Sequence, residues 1–329
     1  MSGNVEAPVS ESFRPAPLLT VIVPVYNAEH WLPGLFETLR SQSFSDFKVL
    51  MVDDGSTDGG PAMMEGFCRD DRRFHLLRRD NAGQAAARNL ALDALDTPRV
   101  TFLDVDDLLH PDAFRIWMEE ALRLGPGSVV KGSWIEASEP SGRFFRPVGR
   151  ARWRRLEPDE AIGHYLYQSL PLTPVWGGVY DSDLFREIRF REGMFYEDLE
   201  IGPRILARAA AVAFTPERLY FYRQHPGSFM HTFSERRLDA LRASDLIRDF
   251  VADNYPSLDE AAADRRWSAN FNIFLLLARQ KNLTVSQREI MERCRGVILT
   301  ERRAELSNSK VRIKNRIAAL LAPILVKFF

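Results

Sequence analysis

Three carboxylates stand within four residues of this chain, at Asp104, Asp106 and Asp107, directly after an apolar run that starts at Val100. The run predicts a buried strand, so these acids come at its carboxyl end. Like charges held this close repel, and their burial is costly unless a cation or hydrogen-bond donors compensate. Mg²⁺ and Mn²⁺ prefer oxygen ligands, often one or two carboxylates together with substrate phosphates. Two interpretations stay open: a divalent-metal site, or a solvated acidic turn before the next helix.

Two other predicted strands also end in polar residues. Residues 18–26 form a short β-branched apolar run, and we expect Asn27 directly after it to cap the next helix. Residues 47–52 form a second run, which leads into Asp53 and an Asp-Gly-Ser turn. In sheets of parallel strands, ligands bind beyond the carboxyl ends of the strands. The sequence therefore predicts that polar chemistry converges on one edge of a sheet.

The elements that must position these residues alternate along the first third of the chain. Short apolar runs predict strands, and apolar residues at helical spacing predict helices between them. This alternation is typical of an α/β fold with a mostly parallel central sheet and flanking helices. From residue 235 onward the pattern is helical throughout. The predicted strands are 18–26, 47–52, 74–77 and 100–103, and the predicted helices are 31–39, 61–68, 84–95 and 112–124.

Composition excludes several classes of protein. With 329 residues, 45% hydrophobic and 27% charged, the chain has the composition of a globular protein. A formal net charge of -1 gives no overall attraction to nucleic acid, so we expect no nucleic-acid partner. Two distant cysteines, Cys68 and Cys294, suggest no disulfide framework and favour a reducing, cytoplasmic compartment. Residues 1–17 are expected to form a flexible tail without the features of a signal peptide.

The segment 143–155 is rich in arginine and also contains aromatic residues. It either holds an anionic partner such as a phospholipid-linked acceptor, or forms a solvated hairpin that pairs with acidic neighbours. Its arginines are Arg143, Arg146, Arg150, Arg152, Arg154 and Arg155.

The C-terminal segment combines basic and apolar residues at helical spacing. Its pattern predicts an amphipathic helix that is too short to span a bilayer and that Pro323 kinks. Such a helix either lies on an anionic membrane surface or packs on the body of the protein, and both interpretations stay open. The apolar positions are Ile313, Ile317, Leu320, Leu321, Ile324, Leu325 and Phe328, and the basic ones at its start are Arg312, Lys314 and Arg316.

Four motifs in order make the first half of the chain similar to a known family. The match covers residues 18–109 and resembles the family 2 glycosyltransferases, which have a Rossmann-like GT-A fold. The order of four motifs is specific, whereas each motif alone is a weak signal. The motifs are Val-Ile-Val-Pro-Val-Tyr-Asn from Val21, Val-Asp-Asp-Gly-Ser-Thr-Asp from Val52, Asn-Ala-Gly from Asn81 with Ala-Arg-Asn from Ala87, and Phe-Leu-Asp-Val-Asp-Asp from Phe102.

The resemblance implies a nucleotide-sugar donor, a divalent metal, Mg²⁺ or Mn²⁺, and sugar transfer with inversion at the anomeric carbon. It assigns the direct metal contact to Asp106, a ribose or water-mediated metal contact to Asp104, and a further metal or phosphate contact to His225. Asp107 is expected to orient the turn, and Gly55 to let the backbone approach a ligand closely. The donor-binding residues that it implies are Pro24, Tyr26, Asn27, Asp53, Arg88 and Asp104.

On the acceptor side, Glu197 and Asp198 resemble the Glu-Asp motif that opens a helix in this family. The resemblance makes Asp198 the catalytic base and assigns acceptor contacts to Glu197 and Trp176. Acidic residues in a first helical turn are also favoured by the helix dipole alone, which is the simpler alternative. After Trp176 the chain has Gly177-Gly178 where many relatives carry Asn-Lys, so contacts at that point differ from the family pattern.

The resemblance and the composition together define an expected organisation. We expect a nucleotide-sugar-binding half at 18–127, an acceptor-binding half at 128–234 and a helical C-terminal region at 235–329. The expected activity is metal-assisted transfer from a nucleotide-diphospho-sugar, with a UDP-sugar favoured, to a hydroxyl of a glycan or lipid-linked glycan. We expect the protein in the cytoplasm, with a peripheral position on the inner face of the membrane if the last helix binds lipid. The alternatives are a catalytically silent binding or scaffold protein and a metal-dependent nucleotidyltransferase.

Overall fold

The computed structural model describes residues 17–225 and 234–328. The predicted N-terminal tail therefore lies outside the described residues, except for Pro17. Nine strands form one sheet: β1 (Leu19–Val25), β2 (Phe47–Asp53), β3 (Phe74–Arg78), β4 (Arg99–Phe102), β5 (Leu108–Leu109), β6 (Ser128–Ala137), β7 (Arg154–Leu156), β8 (Gly178–Asp181) and β9 (Ala211–Arg223). The helices are α1 (Leu32–Arg40), α2 (Gly60–Asp70), α3 (Gln84–Asp93), α4 (Ala113–Leu124), α5 (Pro158–Leu166), α6 (Glu197–Arg208), α7 (Asp239–Asn254), α8 (Asp259–Ala278), α9 (Val285–Ser307) and α10 (Ile313–Phe328).

The strand order is β3-β2-β1-β4-β8-β6-β9-β5, and β7 pairs with β9. β3, β2, β1 and β4 are all parallel, because helices α1, α2 and α3 provide the crossovers that parallel neighbours require. Beyond β4 the sheet is mixed, since β8 pairs antiparallel with both β4 and β6 while β6 and β9 are parallel. The predicted α/β architecture is confirmed, and its parallel character is concentrated in the N-terminal half.

The apolar runs that predicted the first strands are buried on both faces of the sheet. All seven residues of β1 are buried. Alternate residues of β1 enter different cores, with Ile22 on one face and Val21 and Val23 on the other. A strand that is covered on both sides needs apolar residues at successive positions, which explains the continuous run.

The region after residue 234 is helical, as predicted. It does not stand apart from the sheet, because Ile247 of α7 and Ala262 of α8 share a hydrophobic core with Tyr165 of α5 and Ile205 of α6. A third core lies among α7, α8, α9 and α10 around Trp267. The division of the chain at residues 127 and 234 stays a prediction.

Asn27 does not cap the following helix, so that prediction is wrong. Helix α1 begins at Leu32 with Trp31 at its N-cap. Asn27 has a φ of 47°. Its side-chain Oδ1 accepts a hydrogen bond of 2.8 Å from the backbone N–H of Thr57. The residue therefore ties the loop after β1 to the loop after β2, which is possible because asparagine tolerates the left-handed region.

Part of the arginine-rich segment 143–155 is paired within the protein. Arg154 pairs with Glu160 and Arg155 with Glu120, so these two arginines have acidic partners among the described residues.

Cys68 and Cys294 are both free thiols. Across the two described ranges, none of the helices has the length and apolar composition required to cross a bilayer.

Candidate active site

The acidic turn after β4 is held by donors from β9. Asp107 is fully buried, and its carboxylate accepts hydrogen bonds from the Tyr220 hydroxyl at 2.6 Å and from the backbone N–H of Arg223 at 2.8 Å. Burial and the charges of Asp106 and Asp104 raise the pKa of Asp107 well above its usual range. Asp107 thus orients the turn, as expected, and its two donors direct the other two acids toward the edge of the sheet.

Asp106 and His225 lie side by side at this edge. The Oδ2 atom of Asp106 is 2.9 Å from Nε2 of His225, and the side chains are 28% and 21% exposed. The His225 ring packs against Trp31, with the ring centroids 4.8 Å apart. The structure therefore brings together two of the three predicted metal ligands. Residues 226–233, which follow His225 in the chain, lie outside the described residues.

Asp104 faces a different set of partners. Its Oδ1 accepts hydrogen bonds from Gln84 at 2.9 Å and from Arg88 at 3.0 Å. Arg88 is only 2% exposed and also donates to Oε1 of Glu197 at 2.5 Å. Burial raises the pKa of Asp104 to about 6, although Arg88 opposes the shift. Arg88 is therefore a bridge between the turn after β4 and the start of α6, and a contact with the donor stays a prediction.

The turn after β2 is built by its own hydrogen bonds. Asp53 is buried and accepts a bond of 2.9 Å from the N–H of Ser56, while Asp54 accepts bonds from the N–H groups of Ala82 and Gly83. Gly55 has a φ of 77°, and a Cβ there would lie 2.9 Å from the backbone nitrogen of Asn81. The close approach expected at Gly55 is thus to a neighbouring loop of the protein. Its positive φ and this contact both require glycine.

A cavity of about 620 Å³, which we call the donor cleft, opens at these strand ends. It contains two of the predicted donor residues, Pro24 and Tyr26, and the side chain of Tyr26 is half exposed. Asp53 and Asn27 are not among the described residues that line it, because both are occupied in holding the loops. The lining is Pro24, Val25, Tyr26, Asp54, Asn81, Ala82, Gly83, Gln84, Ala85, Gly193, Met194, Phe195, Glu197, Arg236 and Asp239.

A separate cavity of about 550 Å³, the second cavity, lies between the start of α6 and helix α8. Asp198 lines this cavity, whereas the adjacent Glu197 lines the donor cleft. Tyr196 precedes them with a φ of 65°, and the Tyr165 hydroxyl donates a 2.8 Å hydrogen bond to the carbonyl of Leu199. Successive residues of a helix point about 100° apart, so the first turn of α6 can serve two cavities at once.

Asp198 is the one acidic side chain among the described residues that line the second cavity, and its pKa is raised. Burial raises its pKa to about 7, the charge of Glu197 adds to the shift and Arg88 opposes it. The backbone N–H of Leu199 donates to its Oδ1 at 2.8 Å. A carboxylate that titrates near neutral pH can accept a proton during a reaction, because its basicity matches the working pH.

Trp176 is not among the described residues that line the donor cleft or the second cavity. Its ring is only 8% exposed and stacks on Tyr220 and Tyr222, at centroid distances of 4.3 Å and 5.4 Å. Packing accounts for this aromatic residue, because the stack supports Tyr220, whose hydroxyl holds Asp107. The predicted acceptor contact at Trp176 therefore has no support from its position. Glu197 likewise faces the donor cleft and Arg88, not the second cavity.

Sequence reasoning missed the residues that the C-terminal region brings to the two cavities. Arg236 and Asp239 line the donor cleft, and Arg265 and Arg279 line the second cavity. These residues stand on helices whose sequence shows no motif, so only their tertiary placement identifies them. Gln84 was also missed, although its position directly after the Asn-Ala-Gly motif was a usable signal.

The donor set at Asp106 and His225 suits a divalent metal. Among residues 17–225 and 234–328, no group of three or more His, Cys, Asp or Glu side chains is placed to hold an ion by itself. One carboxylate oxygen and one imidazole nitrogen leave the remaining coordination positions for substrate phosphates and water, which is how Mg²⁺ is often bound. The residues present therefore fit such an ion together with a diphosphate.

Comparison with known proteins agrees with this geometry. Glycosyltransferase GlyA of Streptococcus pneumoniae serotype 4 is 29% identical over 229 residues, which are 68% of this chain and 33% of GlyA. This chain thus spans about a third of the length of that relative.

Two solved structures share the fold. Residues 1–349 of S. aureus TarS, in complex with UDP-GlcNAc, superpose with a TM-score of 0.67 at 19% identity, over 93% of this chain and 87% of the fragment. The mannosyltransferase PcManGT of Pyrobaculum calidifontis, in complex with GDP-Man and Mn²⁺, gives a TM-score of 0.53 at 14% identity, over 95% and 81%. At these identities the likeness establishes the GT-A fold.

The family assignment follows from the sequence itself. Residues 20–189, slightly more than half of the 329 residues, match the family described as Glycosyl transferase family 2. The matched range contains the four ordered motifs, the turn after β2 and the acidic turn after β4. This chain belongs to glycosyl transferase family 2.

Proposed function

We propose that this protein transfers a sugar from a nucleotide-diphospho-sugar to a hydroxyl of a glycan or lipid-linked glycan, with inversion at the anomeric carbon. One observation carries the proposal: Glu197 and Asp198, adjacent at the start of α6, line two different cavities. A single displacement needs the leaving group and the proton acceptor on opposite sides of the reacting carbon. The first turn of α6 provides one carboxylate on each side, Glu197 in the donor cleft and Asp198 in the second cavity.

On the donor side, the half-exposed ring of Tyr26 and the backbone of Pro24 form a wall for the nucleotide base. A UDP-sugar is favoured, and the TarS complex with UDP-GlcNAc supports this choice because TarS shares the fold. Arg88, together with Gln84, keeps Asp104 in position next to the expected ribose and diphosphate.

Asp106 and His225 would hold a divalent metal, Mg²⁺ or Mn²⁺, with Asp104 in its outer sphere. When bound, such an ion stabilises the negative charge that develops on the departing nucleoside diphosphate. Asp107, Tyr220 and the backbone of Arg223 fix the orientation of this turn in advance. The complex of PcManGT with GDP-Man and Mn²⁺ supports the choice of a divalent cation.

On the acceptor side, Asp198 accepts the proton of the attacking hydroxyl. Its raised pKa, about 7, makes it a stronger base than an ordinary carboxylate while leaving much of it ionised near neutral pH. Arg88 also places Glu197 beside it, so the charge of Glu197 contributes to that basicity.

The direct test is release of nucleoside diphosphate. Purified protein is incubated with a panel of sugar nucleotides, with Mn²⁺ or with EDTA, and the released UDP or GDP is measured. We expect slow, Mn²⁺-dependent hydrolysis of one donor, and UDP-sugars are the first candidates. A catalytically silent scaffold would release no nucleoside diphosphate from any donor, and that result would refute the proposed activity.

We also propose that α10 places the protein on an anionic membrane surface. The helix packs on the body through small residues, since Ala319, Ala322 and Val326 are buried. Its large apolar residues point the other way. Those with 44% to 75% exposure are Ile313, Ile317, Leu320, Leu321 and Ile324.

Charge favours lipid over a second copy of the chain as the partner of this face. Residues 310–327 contain five basic side chains and no acidic one. Two such faces would repel each other, whereas each lysine or arginine near an anionic bilayer gains about 1 kcal/mol. At about 100° per residue, Lys314 lies on one border of the apolar face and Arg316 and Lys327 on the other, which is the usual arrangement in interfacial helices.

Co-sedimentation with vesicles tests this placement. We expect binding to vesicles that contain phosphatidylglycerol, weaker binding to pure phosphatidylcholine, and a decrease with added salt. Replacing Ile317, Leu320 and Ile324 by serine should remove binding, while Leu122→Ser, an exposed leucine on α4, should not. Undiminished binding of the triple variant would contradict the proposal. Dimers that form without lipid and disappear in the triple variant would show that a second copy covers this face.

A further inference from the structure

The second cavity has an unusual charge for a site beside a catalytic carboxylate. One face of α8 forms much of its wall, from Arg265 through Ser268 and Asn272 to Leu276, and Arg279 follows directly after the helix. Arg237 also lines it, so three arginines accompany Asp198, the one acidic side chain among its described lining residues. The cavity volume of about 550 Å³ is in the usual range for ligand pockets, roughly 300–1,000 Å³.

Arg265 lacks the partners that buried arginines have elsewhere in this protein. Arg88 pairs with Asp104 and Glu197, and Arg99 pairs with Asp181 at 2.5 Å. For the partly buried Arg265, the described part of the chain offers no hydrogen bond or ion pair. The carboxylate of the preceding residue, Asp264, accepts instead from Asn315 at 2.8 Å.

The surroundings of Arg265 make its positive charge costly. Burial lowers its pKa, and Arg312 lowers it further, while Tyr165, Asp198 and Asp264 act in the opposite direction. A partly buried cation without a partner in the protein is available to a ligand that supplies the counter-charge. Arg265 therefore has a free guanidinium in a cavity that contains the proposed base.

We infer that the second cavity binds a phosphate group of the acceptor through Arg265, with a second contact from Arg279 directly after the end of α8. This inference rests on the proposed function and names the class of its acceptor. The planar guanidinium binds phosphate oxygens through two parallel hydrogen bonds, which also fixes orientation. Anchoring the phosphate on α8 holds the acceptor hydroxyl next to Asp198.

The charges of the two cavities also separate the two substrates. Asp54, Glu197 and Asp239 line the donor cleft together with one basic residue, Arg236, so the described lining has more acidic than basic side chains. In the second cavity the arginines outnumber the single carboxylate. A phosphate-bearing acceptor is thereby directed to the side of Asp198.

The test uses the full chain in EDTA, so that no metal recruits anions to the donor cleft. Melting temperature is followed while inorganic pyrophosphate or dimethyl phosphate is added at constant ionic strength. Pyrophosphate represents a diphosphate linkage to lipid, and dimethyl phosphate represents a phosphodiester within a polymer. We expect one of them to raise the melting temperature, because a ligand that binds only the folded state stabilises it.

Arg265→Met should weaken that binding about tenfold or more, the usual effect of losing a charge-assisted hydrogen bond. The control Arg248→Met removes the same charge from an exposed position on α7 and should bind phosphate like the wild type. Arg279 is also exposed, and Arg279→Met should weaken phosphate binding a few-fold. This variant provides the test if Arg265→Met does not fold.

Equal phosphate affinity in Arg265→Met and wild type would overturn the inference, as would the absence of stabilisation by both probes. If Arg265→Met is unfolded, unchanged affinity in Arg279→Met has the same consequence. Release of nucleoside diphosphate by the wild-type protein is measured separately. Its failure would refute the proposed activity while leaving the phosphate measurement valid, so the two failures are distinguishable.

Discussion

The donor cleft and the second cavity lie on either side of the first turn of α6. Acidic side chains outnumber basic ones in the described lining of the cleft, whereas arginines outnumber the single carboxylate in the second cavity. Near the cleft, the carboxylates of Asp104 and Asp106 have hydrogen-bond partners within the protein. Gln84 and Arg88 donate to Asp104, and His225 lies beside Asp106. In the second cavity, Arg265 has no hydrogen bond or ion pair within residues 17–225 and 234–328, and Asp198 is the one acid of the described lining. Under the proposed function, the first side holds the departing diphosphate with its metal, and the second side holds the proton acceptor with an anionic substrate.

The comparison also shows why two adjacent acids have different roles. Glu197 is neutralised by Arg88 at 2.5 Å, so it remains an ordinary paired carboxylate. Asp198 has no arginine within hydrogen-bonding distance among its described partners, and burial raises its pKa to about 7. The same local sequence thus provides a structural anchor and the proposed base, because the two side chains line different cavities.

The largest expected effect comes from Asp198→Asn. The amide retains the shape but cannot take the acceptor proton, so sugar transfer should fall by about 10²-fold or more. Donor affinity should stay near that of the wild type, because Asp198 lies outside the donor cleft. Single-turnover transfer and UDP-sugar binding measure the two separately. Near-normal transfer would remove Asp198 from the mechanism, and Asp183→Asn, an exposed acid, controls for the lost charge.

A smaller effect is expected for Asp106→Asn. The variant should lose the Mn²⁺-dependent part of donor affinity, a decrease of about 10-fold to 100-fold. Affinity in EDTA should be the same in variant and wild type, because the base pocket at Pro24 and Tyr26 is unchanged. Isothermal titration with and without Mn²⁺ gives both values. Full Mn²⁺ dependence in the variant would show that Asp106 is not a ligand.

The third prediction concerns how the transfer rate and the melting temperature depend on pH. Because the ionised form of Asp198 is the base, transfer should rise about tenfold per pH unit below its pKa of about 7 and level off above it. A folded-state pKa raised above the unfolded value makes ionisation destabilising, so stability is lost as pH rises toward 7. The melting temperature of Asp198→Asn relative to wild type should therefore increase between pH 5 and pH 8. A transfer rate that does not change across pH 6–8 would contradict this role.

Sequence reasoning was most successful where chemistry and secondary structure coincide. The first strands, the acidic turn at Asp104 and the start of α6 at Glu197 were all visible in the order of residues. It was less successful where one residue type serves several purposes. Asn27 was expected to cap a helix and instead ties two loops together, because a long-range contact decided its role. The acceptor contact of Trp176 stays a prediction, and the ring of this residue packs on Tyr220.

The sequence by itself determined the family, the alternating α/β order and the set of carboxylates available for chemistry. It could do so because buried strands require apolar runs and catalytic turns follow directly after them. Only the tertiary structure decided which cavity each carboxylate faces and that Arg265 of α8 joins Asp198. Residues 67 positions apart in the chain meet through packing of α6 against α7 and α8, and that packing depends on the shape of the whole core. Charge pairing in the folded state, which the linear sequence does not specify, then separates the proposed metal side from the proposed base.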